Sequence, residues 1–247
     1  MDKHVLQLHG VGKDIGKRTI LGSVDLQLGR GESLALCGGN GVGKSTLLRM
    51  IAGILRPTRG SITIGGIQWA ADRKRYAEQL GYMPDDYLFG QGLSAEETLA
   101  FWASLRKVSP ARVSETLELV GLSEVRRNPV TSFSKGMRQR LLFAQALLAK
   151  PALLLMDEPT NGLDPYWMES FAELVRFAKR EGHAVLFSTH QLQIAEAAAD
   201  RVVFLKDGGV AEQGPTAAFL EAYGSYGLQA VFSRLFGGGS SAQERTR

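Results

Sequence analysis

Cysteine is all but missing: Cys37 is the single one in 247 residues, which rules out an intrachain disulfide and suits a reducing compartment. Long apolar runs are missing too. A helix needs roughly 20 apolar residues to cross a bilayer. The longest stretches here, 141–149 and 152–156, are shorter and are split by Lys150-Pro151. If this protein works at a membrane, another chain must cross it. Met1-Asp2-Lys3-His4 runs straight into Val5-Leu6-Gln7-Leu8, so no secretory leader is expected. Charge of one sign is not concentrated. The net charge is +4 and basic and acidic residues are interspersed, so nothing requires nucleic-acid binding and no nucleic-acid partner is expected. Internal repeats are absent as well, which leaves a single unit.

What is present falls into distinct stretches. Residues 5–8 and 24–28 alternate apolar and polar side chains, the pattern of half-buried strands. Ser61-Ile62-Thr63-Ile64 runs into Gly65-Gly66 and returns as Ile67-Gln68-Trp69, a hairpin signal. Leu34-Ala35-Leu36-Cys37 is continuously apolar, which predicts a central parallel strand covered on both faces. From about 84 to 150 the spacing becomes helical, over 95–105, 110–120 and 135–149. Ser94 precedes Glu96-Glu97, Ser109 precedes Pro110 and Ser134 precedes Lys135, each a helix-start signal. Strand runs resume at 152–156, 184–188 and 202–205, with a helical pattern at 167–180. The fold class is α/β, with a mainly parallel sheet, an N-terminal antiparallel β-subdomain and an inserted α-helical subdomain at roughly 85–150. One nucleotide-binding domain over 1–215 is expected, then a helical extension over 216–236 and a flexible tail over 237–247 that begins Gly237-Gly238-Gly239-Ser240-Ser241.

The run Gly38-Gly39-Asn40-Gly41-Val42-Gly43-Lys44-Ser45-Thr46 lies between the apolar strand and a helix-like segment at 47–52. Strand, glycine loop, lysine, hydroxyl, helix is the order of a phosphate cradle, and it makes the chain a P-loop NTPase core. Glycines let successive N–H groups turn toward phosphate oxygens, and the helix start adds its positive dipole end. Lys44 is placed to reach the β- and γ-phosphates, and Ser45 to ligate Mg²⁺. A bare glycine-rich loop is usually a turn; the register of Lys44-Ser45 with strand and helix decides for a nucleoside triphosphate site.

Leu153-Leu154-Leu155-Met156-Asp157-Glu158 is an apolar strand that ends in two acids. Asp157 is expected in the Mg²⁺ shell, and Glu158 one residue farther out, where it can polarise attacking water. Alone, the pair would read as an acidic turn; the upstream loop gives it the catalytic reading.

The order of these motifs over residues 5–215 resembles the ATP-binding subunit of an ABC transporter. Phe133-Ser134-Lys135-Gly136-Met137 stands where that family carries its signature Leu-Ser-Gly-Gly-Gln, with Ser134 and Gly136 matching. The resemblance implies that Ser134, Lys135 and Gly136 complete a site whose phosphate loop belongs to another subunit; the plainer role of Ser134 is to cap its own helix. Asn161-Gly162-Leu163-Asp164 is similar to the family's D-loop, with Asp164 near the dimer seam, and otherwise reads as a turn before Pro165. His190 matches the switch histidine that contacts the γ-phosphate, at the carboxyl end of a parallel strand where such sheets bind ligands. His4, His9 and His183 have no comparable placement.

Two positions depart from the family. Ile15 falls where an aromatic residue usually stacks on adenine, and Asp85, in Gly81-Tyr82-Met83-Pro84-Asp85, falls where a glutamine is usual in the loop that senses Mg²⁺ and connects to the membrane partner. Asp85 is therefore counted among the metal-site residues, with a bridging water easier than direct contact. The acid at 85 and Arg138-Gln139-Arg140 after the signature resemble the ABC-2-type export branch. The resemblance implies a Mg²⁺-dependent ATPase at the cytoplasmic face of a membrane, paired with a second copy or a homologous subunit and powering a separate permease. The rivals are a soluble ABC ATPase acting on ribosomes or DNA, and a non-catalytic nucleotide-gated scaffold. Cys37, just before the loop, reads as a small apolar packer, or as a thiol whose modification blocks ATP binding.

Overall fold

The computed structural model describes residues 4–87, 89–90, 92–163 and 165–237. The strands are β1 (His4–Ile15), β2 (Arg18–Gly29), β3 (Ser33–Cys37), β4 (Arg59–Ile64), β5 (Ile67–Gln68), β6 (Leu80–Met83), β7 (Leu153–Met156), β8 (Ala184–Thr189), β9 (Arg201–Lys206) and β10 (Gly209–Pro215). The helices are α1 (Lys44–Ile51), α2 (Arg73–Glu78), α3 (Ala95–Arg106), α4 (Pro110–Leu119), α5 (Lys135–Leu147), α6 (Pro165–Arg180), α7 (Leu192–Ala198), α8 (Thr216–Tyr223) and α9 (Gly227–Phe236). None of them is long and apolar enough to cross a membrane.

Among the described residues the strands form two sheets. One is antiparallel, in the order β2-β1-β4-β5. The other runs β10-β9-β3-β8-β7-β6 and is parallel except for the edge strand β10. The expected α/β class with a mainly parallel sheet and an antiparallel N-terminal layer is the one observed. The expected flexible tail lies, from residue 238 on, outside the described residues.

The central strands explain why a continuous apolar run was needed. Successive side chains of a strand point to opposite faces, and β3 feeds two cores. Leu34 and Leu36 join the cluster under the antiparallel sheet and α1, while Ala35 and Cys37 join the cluster under the helices. Leu153 and Leu155 divide in the same way from Leu154 and Met156. Burying a leucine or valine fully contributes about 1.5–3 kcal/mol, so the sheet is held from both sides and its carboxyl ends are rigid platforms. Between β6 and β7 the chain passes through α3, α4 and α5. Ser94 opens α3 with a reciprocal capping box to Glu97, and Ser134 caps α5 through the Met137 amide. Ser109 makes no such side-chain bond; Pro110 alone marks that start.

Candidate nucleotide site

The phosphate loop leaves the carboxyl end of β3 and enters α1. Two glycines there have no substitute. Gly38 has φ +155°, and a Cβ would lie 2.5 Å from the Leu205 carbonyl oxygen; Gly43 has φ +105°, and a Cβ would lie 2.7 Å from Leu21. Gly43 stands at the N-cap of α1 with no side chain closing off the first-turn amides, which leaves donors for an anion.

Lys44 is 6% exposed. Its Nζ donates to the carbonyls of Gly38 (2.9 Å) and Gly39 (3.1 Å) and pairs with Glu158 Oε1 at 3.4 Å. The ammonium is thus held along the loop by oxygen acceptors that a phosphate could replace. Ser45 Oγ donates to Asp157 Oδ1 at 3.1 Å. Glu158 has φ +46°, rare for a residue with a side chain. His190 faces it, Nδ1 to Oε2 at 2.8 Å, and the His190 backbone N–H points at the same oxygen at 3.3 Å. The cavity bounded by Lys44, Ser45, Glu158 and His190 measures about 460 Å³, with Asp85 and Asn161 also on its wall; Asp157 stands behind that wall, bonded to Ser45. Burial raises the Asp85 carboxyl above its ordinary range, a bond from the Asn161 side chain opposes this, and Asp86, Asp157 and Glu158 push the same way as burial.

The structure therefore brings together Gly41, Gly43, Lys44, Ser45, Thr46, Asp85, Asp157, Glu158 and His190, with Asn40 beside them. It does not bring in Ser134, Lys135 or Gly136, which stand outside that cavity wall. Ser134 accepts from its own helix, and Lys135 leans on the turn at Gly162, where a Cβ would lie 2.7 Å from its Nζ. Asp164 lies outside the described residues. Ile15 is 56% exposed at the tip of the β1–β2 hairpin. Cys37 is fully buried, and burial pushes its thiol up to about 12; this is the packing role, since a thiol so held is not a nucleophile at neutral pH. His183 is buried against the Pro151 carbonyl, and burial lowers its pKa.

A family model described as "ABC transporter" matches residues 21–161. The chain belongs to the ABC transporter family. It is 39% identical over 212 residues to the uncharacterized ABC transporter ATP-binding protein YdbJ of Bacillus subtilis, covering 85% of this chain and 69% of that one. It is 35% identical over 206 residues to the lantibiotic transport ATP-binding protein SrtF of Streptococcus pyogenes, covering 83% and 89%. A solved ATP-binding subunit of an ABC transporter superposes with TM-score 0.84 at 31% identity, covering 94% of this chain and 99% of that one. Among the described residues, no group of three or more His, Cys, Asp or Glu side chains could hold a metal unaided. Ser45 and Asp157 offer hard oxygens 3.1 Å apart, which fits a Mg²⁺ that arrives with a polyphosphate and keeps several waters.

Ser188, Thr160 and Gln191 join the site without a sequence signal of their own. Thr160 Oγ1 donates to Gln191 Oε1 at 2.7 Å, tying the segment after Glu158 to the residue after His190. Ser188 contacts both acids at the end of β7. No motif marks them; only the parallel pairing of β7 with β8 makes them neighbours.

Proposed function

We propose that this chain is a Mg²⁺-dependent ATPase that closes as a pair with a second copy or a homologous subunit and powers a separate membrane permease, in an exporter. The observation that carries the proposal is the convergence of Lys44, Glu158 and His190 on one cavity, with Ser45 and Asp157 joined beside them. Ser45 and Asp157 would hold Mg²⁺, with Asp85 on the same cavity wall as a further candidate, and the ion would supply neutralisation of the phosphate charge. Lys44 exchanges the loop carbonyls for phosphate oxygens. Glu158, released from Lys44, orients and polarises the attacking water, and His190 holds the carboxylate through its ring and its amide.

The signature segment supports pairing. Ser134, Lys135 and Gly136 form a helix start outside their own chain's cavity, which suits a lid for the partner's γ-phosphate. A groove of about 470 Å³ lies beside the Asp85 loop, lined in part by Ile54, Trp69, Tyr82, Tyr87, Trp102 and Arg106. Its aromatic lining, with Ile54 64% exposed, suits a cytosolic segment of the permease. SrtF, by its name a lantibiotic transport protein, and LnrL of B. subtilis, a linearmycin resistance ATP-binding protein 34% identical over 208 residues, support the export reading.

Glu158→Gln tests the proposal. It is expected to bind ATP, to hydrolyse it at least about a hundredfold more slowly, and to accumulate as a dimer on sizing columns with ATP. Near-normal turnover would remove Glu158 from its role.

A further inference from the structure

Ser188 lies one residue from the end of β8 and has no solvent exposure. The residues before it in that strand, Ala184-Val185-Leu186-Phe187, are all apolar. A hydroxyl in such surroundings costs about 1–3 kcal/mol if left unpaired, and here it is paired twice. Ser188 Oγ donates to Asp157 Oδ1 at 2.7 Å and accepts from the Glu158 backbone N–H at 2.9 Å. A hydroxyl has one proton and two lone pairs, so the two bonds have a fixed sense: the proton goes to the carboxylate and a lone pair to the amide. Asp157 Oδ1 is thereby held between two hydroxyls, that of Ser188 and that of Ser45 at 3.1 Å.

The amide bond matters for a second reason. Had β7 continued as an extended strand, Asp157 and Glu158 would point to opposite faces. The left-handed turn at Glu158, φ +46°, breaks that alternation. It returns the Glu158 carboxylate to the side of Lys44 and His190. A residue with a Cβ pays roughly 1–2 kcal/mol for that conformation, so the surroundings must hold it. Ser188 holds the N–H of Glu158, and the Asn161 N–H holds its carbonyl.

Resting on the ATPase reading above, we infer that Ser188 is a positioning residue for hydrolysis: its single hydroxyl both aims the Asp157 carboxylate at Ser45 and pins the turn that presents Glu158. Asp157 would help hold the metal and Glu158 would act on the water; the Ser188 hydroxyl bonds to these two residues and acts through them.

The test uses the full chain with Ser188→Thr, Ser188→Val and Ser188→Ala. ATP affinity is measured by calorimetry with Mg²⁺ and with EDTA, and hydrolysis is followed in parallel. Threonine and valine share a shape and differ by the hydroxyl, while alanine removes the hydroxyl without adding bulk. Ser188→Thr should stay within about threefold of the parent on every measure. The valine and alanine variants should keep their affinity in EDTA within about twofold. They should lose about tenfold of the affinity gain that Mg²⁺ confers and about tenfold in kcat, the size of one charge-assisted hydrogen bond. A hydroxyl-free variant with the parent's Mg²⁺ gain and kcat would overturn the inference. So would a threonine variant as impaired as the valine one. Failure of both hydroxyl-free variants to fold while the threonine variant folds would also count against it, because the hydroxyl would then serve folding alone. A parent chain with no turnover, alone or with its permease, sinks the ATPase reading instead, and the calorimetric comparison still judges Ser188.

Discussion

Two helix starts in this molecule treat their first-turn amides in opposite ways. At the start of α1, no side chain caps the first turn; Lys44 folds back over the loop and Glu158, just past β7, closes in behind it. At the start of α5, Ser134 caps its own helix, and the surroundings are open: a Cβ on Gly136 would meet nothing nearer than Ser134 Oγ at 4.0 Å, whereas one on Gly43 would strike Leu21 at 2.7 Å. The first start is packed within its own chain, with Leu21 against Gly43 and Glu158 against Lys44. The second offers a positive helix end and Lys135 to the outside. The difference teaches that two helix starts of like polarity become different sites through their caps and surroundings: Gly43 is left-handed and leaves its first-turn amides uncapped, whereas Ser134 is extended and takes the Met137 amide.

The comparison is broken most severely at α1. Lys44→Ala removes the cation that bridges Gly38, Gly39 and Glu158, and leaves Glu158, 8% exposed, without its cationic partner in the cavity. ATP affinity of the isolated chain is expected to fall by at least about a hundredfold, roughly 2.7 kcal/mol. Retained affinity by calorimetry would contradict the cradle reading. No comparable loss of single-chain binding is expected from any substitution at 134–136.

That asymmetry was only half legible in the sequence. The phosphate loop declares itself because lysine and hydroxyl sit at fixed offsets from glycines between strand and helix, and β3 declares itself because both its faces are buried. Secondary elements with weak internal pattern do not show in the sequence. β6 is four residues long and contains Gly81, whose Cβ would lie 2.0 Å from the Ala146 carbonyl oxygen, so α5 packs where a side chain would otherwise stand. A glycine there looks like a loop until the helix is in place. β10, with two glycines and a proline, survives because it is an edge strand with one paired side. α2 and α7 are six and seven residues long, too short for a period to show. The second layer of the site was hidden for another reason. Ser188 and Gln191 are 30 and 31 residues from Glu158 and Thr160, and nothing in either segment names the other. Register between parallel strands, which sequence does not carry, makes them partners.

Lys135→Ala sharpens the contrast at the outer start. Affinity of the lone chain for ATP should be unchanged within about twofold, because Lys135 is not on the wall of its own cavity. Hydrolysis at concentrations that favour pairing should fall about tenfold, the effect of one charge on a developing γ-phosphate. If affinity falls and hydrolysis does not, the signature acts within its own chain and the pairing model fails.

The smallest effect separates Ser134 the cap from Ser134 the lid. Ser134 Oγ accepts from the Met137 amide, whereas Ser109 makes no side-chain cap bond and relies on Pro110. Ser134→Ala is expected to lower unfolding free energy by about 1 kcal/mol, and Ser109→Ala by only a few tenths, measured by urea denaturation. Equal costs at the two positions would mean that the Met137 bond carries no weight. If the Ser134 variant loses hydrolysis beyond what its stability loss explains while the Ser109 variant does not, the hydroxyl does more than cap. It must then leave Met137 for a phosphate of the facing subunit, and the two helix starts would share one ligand.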